Sequence, residues 1–290
     1  MSNQPPIEVP QGAIRLNTDS QKLEFYAQDR WFEMATESIS LDGGNGRGVA
    51  AGGNNPGQTD TIQYITIPTA GNAIDFGNLT AATQGNLAAT GSSTRGLIGG
   101  GQRFPAQVNV IDLITFSSTG NAIDFADLTV ARGQTSGSGS QTRGIFGGGQ
   151  PGPSIVDTID FVTIASTGTN AVDFGNLTSN RRMLAAASSP TRSLFFAGLN
   201  PSATNVIDFI TISTTANATD FGDISAAMYS SGAVSSKTRA VMMGGYDSNP
   251  NYVNTMEYVT IATRGNTMDF GDLTEPTYIF EPVSNSIRGV

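Results

Sequence analysis

Hydrophobic and polar residues alternate with a period of two along much of this chain, and this alternation predicts β-strands. The clearest alternating segments are IQYITI (62–67), IDLITF (111–116), IDFVTI (159–164), IDFITI (207–212) and MEYVTI (256–261). Clusters of Gly, Asn and Pro separate these segments from their neighbours, as expected of turns in a β-rich chain. No segment has a convincing helical period, so the pattern predicts an all-β fold.

The alternating segments belong to a repeat, whose clearest marker is the sequence Asp-Phe-Gly-Asn-Leu-Thr. It begins at Asp75, and its later copies begin at Asp124, Asp173, Asp220 and Asp269, at spacings of 49, 49, 47 and 49 residues. Each repeat adds a strand that ends in Gly-Gly, such as RGLIGGG (95–101), and a Ser/Ala-rich strand, such as RMLAAASS (182–189). Four strands in about 48 residues predict a β-propeller blade. We therefore expect residues 46–290 to form a five-bladed β-propeller.

The order of strands within a blade follows from their side chains. The Ser/Ala-rich strand is expected innermost, because small residues let backbones approach each other near the axis. The Asp-Phe strand is expected outermost, with its Phe and Leu packed on the neighbouring blade. The first repeat lacks an inner strand before RGVAAGG (47–53), and the C-terminal residues 277–285 match the missing piece. We expect that C-terminal strand to complete the first blade and leave no open sheet edge.

Residues 1–45 precede the repeats and are predicted to contain a polar arm and a small β segment. Its three strands are expected at 12–18, 22–27 and 30–35, and they are too few to bury a core alone. We therefore expect this segment to serve attachment or self-association. Its candidate contact residues are Ile14, Leu16, Phe25, Tyr26, Trp31 and Phe32.

Composition narrows the range of functions. The formal charge is −9 with no basic cluster, which argues against nucleic-acid binding. The absence of His and Cys removes the commonest transition-metal ligands and the usual general base. Met1 to Gln11 lacks the features of a signal peptide, and no apolar stretch approaches the length of a membrane span. We expect no enzyme activity, cofactor, metal site or membrane insertion.

Charged residues that recur in every repeat are interpreted as structural. One arginine position recurs throughout, at Arg47, Arg95, Arg143, Arg192, Arg239 and Arg288. The acidic residues of the alternating strands are its expected partners, namely Asp112, Asp160, Asp208 and Glu257, with Gln63 as the exception. Anion binding near the axis is the alternative role for these arginines.

The loops that follow the Gly-Gly strands differ between repeats and are expected on one rim of the propeller. Rigid scaffolds often carry function on such loops. The side chains there that could stack on a sugar or hydrogen-bond to it are Arg103, Phe104, Tyr246, Asp247 and Tyr252. The alternative is that these loops are surface without a binding role.

Three resemblances extend this interpretation. The Gly pair before an alternating strand resembles the kelch blade, although Asp-Phe replaces the aromatic positions usual in kelch repeats. The segment GAIRLNTDSQKLEFYAQDRWFEM (12–34) resembles a short segment of bacteriophage tail-fibre and tail-tip proteins. Repeats of the type VIDFITI (206–212) resemble those of marine and cyanobacterial phage structural proteins.

These resemblances imply a non-enzymatic virion component with a kelch-like propeller. Its N-terminal segment would bind other virion proteins and form a homo-oligomer, with a trimer favoured, and its propeller would face outward toward a host-surface glycan. The alternatives are a lectin-type propeller that acts outside any virion, and a polysaccharide depolymerase. A depolymerase would need a convergent pair of carboxylates, which the sequence does not display.

Overall fold

A computed structural model of the chain describes residues 9–17, 22–33, 46–54, 56–85, 87–248, 251–278 and 282–284. The chain divides into two compact units, Met1–Ser40 and Leu41–Val290. Strands make up the regular structure of the described residues, and no α-helix occurs among them. The all-β prediction is therefore confirmed for this part of the chain.

The first unit contains one antiparallel sheet of three strands. They are β1 (Ile14–Asn17), β2 (Lys22–Ala27) and β3 (Arg30–Glu33), and β2 lies in the middle. Gln28 and Asp29 connect β2 to β3 with φ values of 49° and 57°. Positive φ at both central residues is typical of the two-residue turns that join antiparallel strands.

Among the described residues, the second unit contains five sheets of three or more strands, one for each repeat. The first sheet consists of β4 (Arg47–Ala51), β5 (Thr59–Thr66) and β6 (Ile74–Thr83). The next strands are β7 (Ala88–Gly91), β8 (Arg95–Gly99), β9 (Gln102–Arg103), β10 (Ala106–Gln107), β11 (Val110–Thr115) and β12 (Ile123–Asp127). The second sheet has the order β7-β8-β11-β12, and β9 and β10 form a separate hairpin.

The third sheet has the order β13 (Ser136–Gly139), β14 (Arg143–Gly147), β15 (Thr158–Thr163) and β16 (Val172–Asn176). The remaining strands are β17 (Ala185–Ser188), β18 (Arg192–Phe196), β19 (Thr204–Thr211), β20 (Thr219–Tyr229), β21 (Gly232–Ser235), β22 (Arg239–Met243), β23 (Tyr246–Asp247), β24 (Thr255–Thr260) and β25 (Met268–Asp272). The fourth sheet is β17-β18-β19-β20-β23 and the fifth is β21-β22-β24-β25.

The Ser/Ala-rich strands surround a common cavity of about 320 Å³. Segments of all five sheets line it, together with Pro282 and Val283. Small residues are required there, since a Cβ added at Gly137 would lie 2.3 Å from the carbonyl oxygen of Ala89 in the neighbouring sheet. Their expected position at one end of each sheet is thus observed in the second to fifth sheets.

The outer strand of each of the first four sheets packs on the next sheet. In the third sheet, Phe174 and Leu177 are buried and join Ile210 and Ile212 of the fourth sheet in one apolar cluster. The backbones also touch, because a Cβ added at Gly175 would lie 2.5 Å from the carbonyl oxygen of Ala216. We call each such contact between successive sheets a junction.

The second sheet shows how the chain accommodates a larger residue at that glycine position. It carries Ala126 where the other outer strands carry Gly. The facing turn of the third sheet, 165–170, is one residue longer than its counterpart in the fourth sheet, 213–217. The longer turn still makes the junction hydrogen bond, in which the Gly168 amide donates to the Phe125 carbonyl at 3.1 Å. The extra Cβ and the extra turn residue therefore compensate each other.

A buried carboxylate connects the sheets at each of these four junctions. Asp160 of the third sheet is fully buried and accepts hydrogen bonds from the Thr129 amide (3.1 Å) and hydroxyl (2.7 Å) of the second sheet. The Arg132 guanidinium completes the site at 2.9 Å. The equivalent carboxylates are Asp112, Asp208 and Glu257.

The recurring arginines have different partners from those predicted. Arg95 donates to the carbonyl of Ile164, and Arg143 to that of Ile212, at 2.8 and 2.7 Å. Each bond crosses a junction to the next sheet. The predicted ion pairs with the acidic residues of the alternating strands are therefore wrong for these two arginines, because their guanidinium groups bind main-chain carbonyls instead. Arg288 lies outside the described residues.

The Asp-Phe strand of the fifth sheet is packed differently from the equivalent strands at the four junctions. Phe270 is 51% exposed, whereas its counterparts are 2–3% exposed, at Phe76, Phe125, Phe174 and Phe221. A Cβ added at Gly271 would meet only Met256 of its own sheet, at 3.8 Å. Gln63, the one exception among the acidic positions, lies exposed on the first sheet. The expected packing of the outer Phe therefore holds for four copies and fails for the fifth.

The C-terminal segment nevertheless lies beside both the first and the fifth sheet. The Val283 side chain occupies the space in which a Cβ at Gly48 would lie, at 2.4 Å. The Ser284 hydroxyl donates to the carbonyl of Ser235 at 3.2 Å, as the Ser235 hydroxyl does to Ser188 at 2.8 Å. Of the predicted closing strand 277–285, residues 279–281 and 285 lie outside the described residues.

Glycine-to-alanine changes should distinguish a formed junction from an open one. Gly175 and Gly271 hold the same repeat position and have φ values of 143° and 132°, so an alanine is strained at both. Only at Gly175 does the new Cβ meet another sheet. We expect Gly175→Ala to lower the free energy of unfolding by about 1–3 kcal/mol more than Gly271→Ala. Equal losses in chemical denaturation would contradict this account of the fifth sheet.

Removal of a junction carboxylate should be costly where it is buried. Asp208→Ala would leave the Arg181 guanidinium buried without its anion, and we expect a loss of about 3–5 kcal/mol in the free energy of unfolding. Burial already lowers the pKa of Arg181 from its ordinary value. The matched control is Gln63→Ala, an exposed change at the same repeat position, for which we expect less than about 0.5 kcal/mol. Thermal and denaturant unfolding would measure both, and similar losses would refute the role of the carboxylate.

Candidate functional site

Four tyrosines from three segments of the second unit form one aromatic cluster. They are Tyr229 at the end of β20, Tyr246 in β23, Tyr252 in the following loop, and Tyr278 near the C-terminus. The ring centroids of Tyr246 lie 5.3, 4.8 and 4.5 Å from those of Tyr229, Tyr252 and Tyr278. We call this group the tyrosine cluster.

Strand pairing and one carboxylate bring these rings together. Tyr229 pairs with Tyr246 where β20 meets β23, and Tyr246 bridges to Tyr252 across the loop. The Asp247 carboxylate accepts hydrogen bonds from the Asn251 amide (2.9 Å) and side chain (3.3 Å), which turns the loop back on itself. An aspartate that binds main-chain amides a few residues ahead is a common turn-forming device.

Two rings of the cluster face solvent. Tyr252 and Tyr278 are 49% and 37% exposed, and their rings stack at 4.6 Å with an interplanar angle of 13°. Hydrogen bonding with Tyr252, followed by burial and hydrogen bonding with Tyr278, raises the pKa of the Tyr246 hydroxyl above its ordinary value. The Tyr246 phenol is therefore neutral at physiological pH, and its hydroxyl can both donate and accept hydrogen bonds.

The sequence identified half of this cluster. Tyr246 and Tyr252 were expected on the rim, Tyr278 was expected only as part of the closing strand 277–285, and Tyr229 was not singled out. The latter two hold the same position in successive repeats, 49 residues apart, where earlier repeats carry Gln84, Gly133 and Arg182. The signal that could have revealed them was a tyrosine at a repeat position that otherwise carries Gln, Gly or Arg.

The other two predicted rim residues lie on a different sheet. Phe104 is 76% exposed in the β9–β10 hairpin of the second repeat. Arg103 turns toward the first junction, where its guanidinium donates to the hydroxyls of Thr80 (3.1 Å) and Thr83 (3.2 Å) and lies 3.6 Å from Asp112. Burial raises the pKa of Asp112, and Arg103 partly offsets that effect. Arg103 therefore contacts the first junction, and its expected role in sugar binding stays a prediction.

The predicted attachment residues divide between the two faces of the N-terminal sheet. The register pairs Ile14 with Phe25 and Phe25 with Phe32, which places these three on one face. Leu16 lies on that face too, since side chains alternate along a strand. Ile14, Leu16 and Phe25 are 64%, 60% and 36% exposed, so this face is apolar and open within the unit.

Tyr26 and Trp31 lie on the opposite face of that sheet, where the Arg15 guanidinium covers the Trp31 ring at 4.1 Å. Glu24 accepts hydrogen bonds from Asn17 (2.9 Å) and Arg15 (2.8 Å) on the same face. These bonds, with that from Asn17 the largest, lower the pKa of Glu24. One face is therefore polar and internally paired, and the other is apolar.

Comparison with known protein families and curated proteins found no significant match. Within the described residues, no helix has the length and hydropathy needed to cross a membrane. The same residues contain no group of three or more acidic side chains placed to hold a metal ion.

A titration should detect the coupling within the tyrosine cluster. We expect Tyr252→Phe to lower the pKa of Tyr246 toward the ordinary tyrosine value near ~10, since it removes the largest cause of the shift. Absorbance at 295 nm measures phenolate formation, and the variant should complete its alkaline titration at a lower pH than the natural chain. Tyr64→Phe in the first sheet serves as the control. A Tyr246 pKa that does not respond to Tyr252→Phe would contradict the arrangement.

Proposed function

We propose that the second unit is a five-bladed, kelch-like β-propeller whose ring is completed by the C-terminal segment. Five similar sheets with segments around one cavity support this architecture. The positions of Val283 beside Gly48 and of Ser284 beside Ser235 support the closure, since each contact is the kind expected of a missing innermost strand. Closed rings remove the exposed sheet edges on which chains aggregate.

The proposed role is that of a non-enzymatic structural component of a phage particle. It would attach through the N-terminal unit and display the propeller toward the host surface or other particle proteins. The observation that carries the attachment half is the open apolar face of the N-terminal sheet, at Ile14, Leu16 and Phe25. Contiguous exposed apolar surface is typical of protein interaction sites. We propose a trimer formed through this face.

The repeated carboxylates have structural partners. They bind Thr hydroxyls, amides or arginines at the junctions, as Asp160 and Asp208 do. A glycoside hydrolase needs two carboxylates on either side of one bond. Because these groups are distributed between successive junctions, the depolymerase alternative has no observation in its favour.

A lectin that acts outside any virion is the second candidate, and the tyrosine cluster is the observation that favours it. Exposed stacked rings suit a sugar ligand whether or not the protein belongs to a particle. The two candidates differ in the N-terminal unit, which only a particle component requires for attachment. Display in several copies would also strengthen weak sugar binding by avidity.

The test uses the fluorescently labelled full-length chain, together with Leu16→Ser/Phe25→Ser. We expect sedimentation to show a trimer for the natural chain and a monomer for the variant, since two exposed apolar contacts are lost. In parallel, we expect the natural chain to show saturable binding to at least one strain in a panel of marine bacteria and cyanobacteria. The monomeric variant should bind at least ~10-fold more weakly, because avidity is lost.

Gln28→Ser serves as the control for this experiment, because it changes an exposed turn residue of the same sheet. It should preserve both the trimer and cell binding. Saturable binding without any dependence on self-association would favour the free lectin. The absence of binding to every strain would contradict a role in host contact.

A further inference from the structure

The tyrosine cluster is assembled before any ligand arrives. Three of its rings lie within 4.8 Å of one another, and strand pairing and the Asp247 turn hold them in place. A ligand that stacks on such a surface does not have to order flexible side chains first, which lowers the entropic cost of binding. The exposed rings of Tyr252 and Tyr278 are therefore suited to recognition.

Polar groups lie next to the exposed rings. The phenol hydroxyls of the cluster both donate and accept hydrogen bonds. The Asp247 carboxylate lies in the same loop, where it accepts two hydrogen bonds from Asn251. An apolar ring face bordered by hydrogen-bonding groups matches a pyranose, which has an apolar C–H face and a rim of hydroxyls.

The charges in the surrounding segments restrict the ligand further. Residues 228–231, 246–254 and 275–278 contain no Lys or Arg, and they include the acidic residues Asp247 and Glu275. Phosphate, sulfate and carboxylate groups are usually bound by cationic side chains. Acidic sugars and nucleic acids are thus disfavoured at this surface, whereas neutral sugars are not.

We propose that the tyrosine cluster is a binding site for neutral pyranose sugars, with the exposed rings of Tyr252 and Tyr278 as the stacking surface and the phenol hydroxyls as hydrogen-bond partners. This inference rests on the proposed role in host contact and assigns its ligand class. It places recognition at the rim of the last two repeats instead of in the central cavity.

The test measures binding of the full-length chain to lactose, cellobiose and maltose, with 3′-sialyllactose as the acidic comparison, by ligand-observed NMR and calorimetry. We expect at least one neutral disaccharide to bind with a Kd in the millimolar range and sialyllactose to bind at least ~10-fold more weakly. Tyr252→Ala and Tyr278→Ala should each weaken binding at least ~10-fold. Tyr252→Phe should stay within ~3-fold, since it keeps the ring.

Phe104→Ala provides the matched control, because it removes an exposed aromatic ring from the rim loop of another repeat. It should leave sugar binding unchanged, and circular dichroism should confirm that every variant is folded. Failure of all three neutral sugars to bind, or binding that survives Tyr252→Ala, would overturn the proposal. Cell binding that persists in Tyr252→Ala would overturn this site alone, whereas the absence of cell binding by the natural chain would overturn the proposed function.

Discussion

The second unit depends on a buried carboxylate that joins one sheet to the next. At the second and third junctions, Asp160 and Asp208 accept hydrogen bonds from a threonine amide and hydroxyl of the preceding sheet. Arginine neutralises each of them in a site closed to water. A buried charge is tolerated only when it is paired and hydrogen-bonded, so these residues fix the position of each sheet relative to its neighbour.

The close spacing between successive sheets is kept even where the residues at a junction differ. Close backbone contact at Gly175, and its compensated form at Ala126, shows that the spacing between sheets is set locally and repeated. Between the fifth sheet and the first, Gln63 stands in place of the buried carboxylate, and Phe270 is exposed instead of packed. The position where the repeat pattern departs from its consensus is therefore also the position where the packing differs.

The loops that follow the Gly-Gly strands differ in sequence between repeats, and the chain uses them in different ways. The second repeat directs Arg103 into a junction and exposes Phe104, whereas the last two repeats gather four tyrosines. In the proposed function, the apolar N-terminal sheet provides attachment and the aromatic surface makes the other contacts. Several copies would then strengthen weak contacts by avidity.

Period-two alternation and fixed spacing are local properties of the chain, so the all-β class, the repeat and the order of strands could be predicted from the sequence alone. The sequence also singled out Tyr246, Asp247 and Tyr252, of which the structure places Tyr246 and Asp247 in β23 and Tyr252 in the following loop. The partners of the recurring arginines depended on the tertiary structure, since the guanidinium of Arg95 reaches a carbonyl 69 residues away. Tertiary structure also decided the exposure of Phe270 and the meeting of Tyr229 and Tyr278 with the rim loop. Contacts between distant segments depend on how the sheets are placed, which no local pattern specifies.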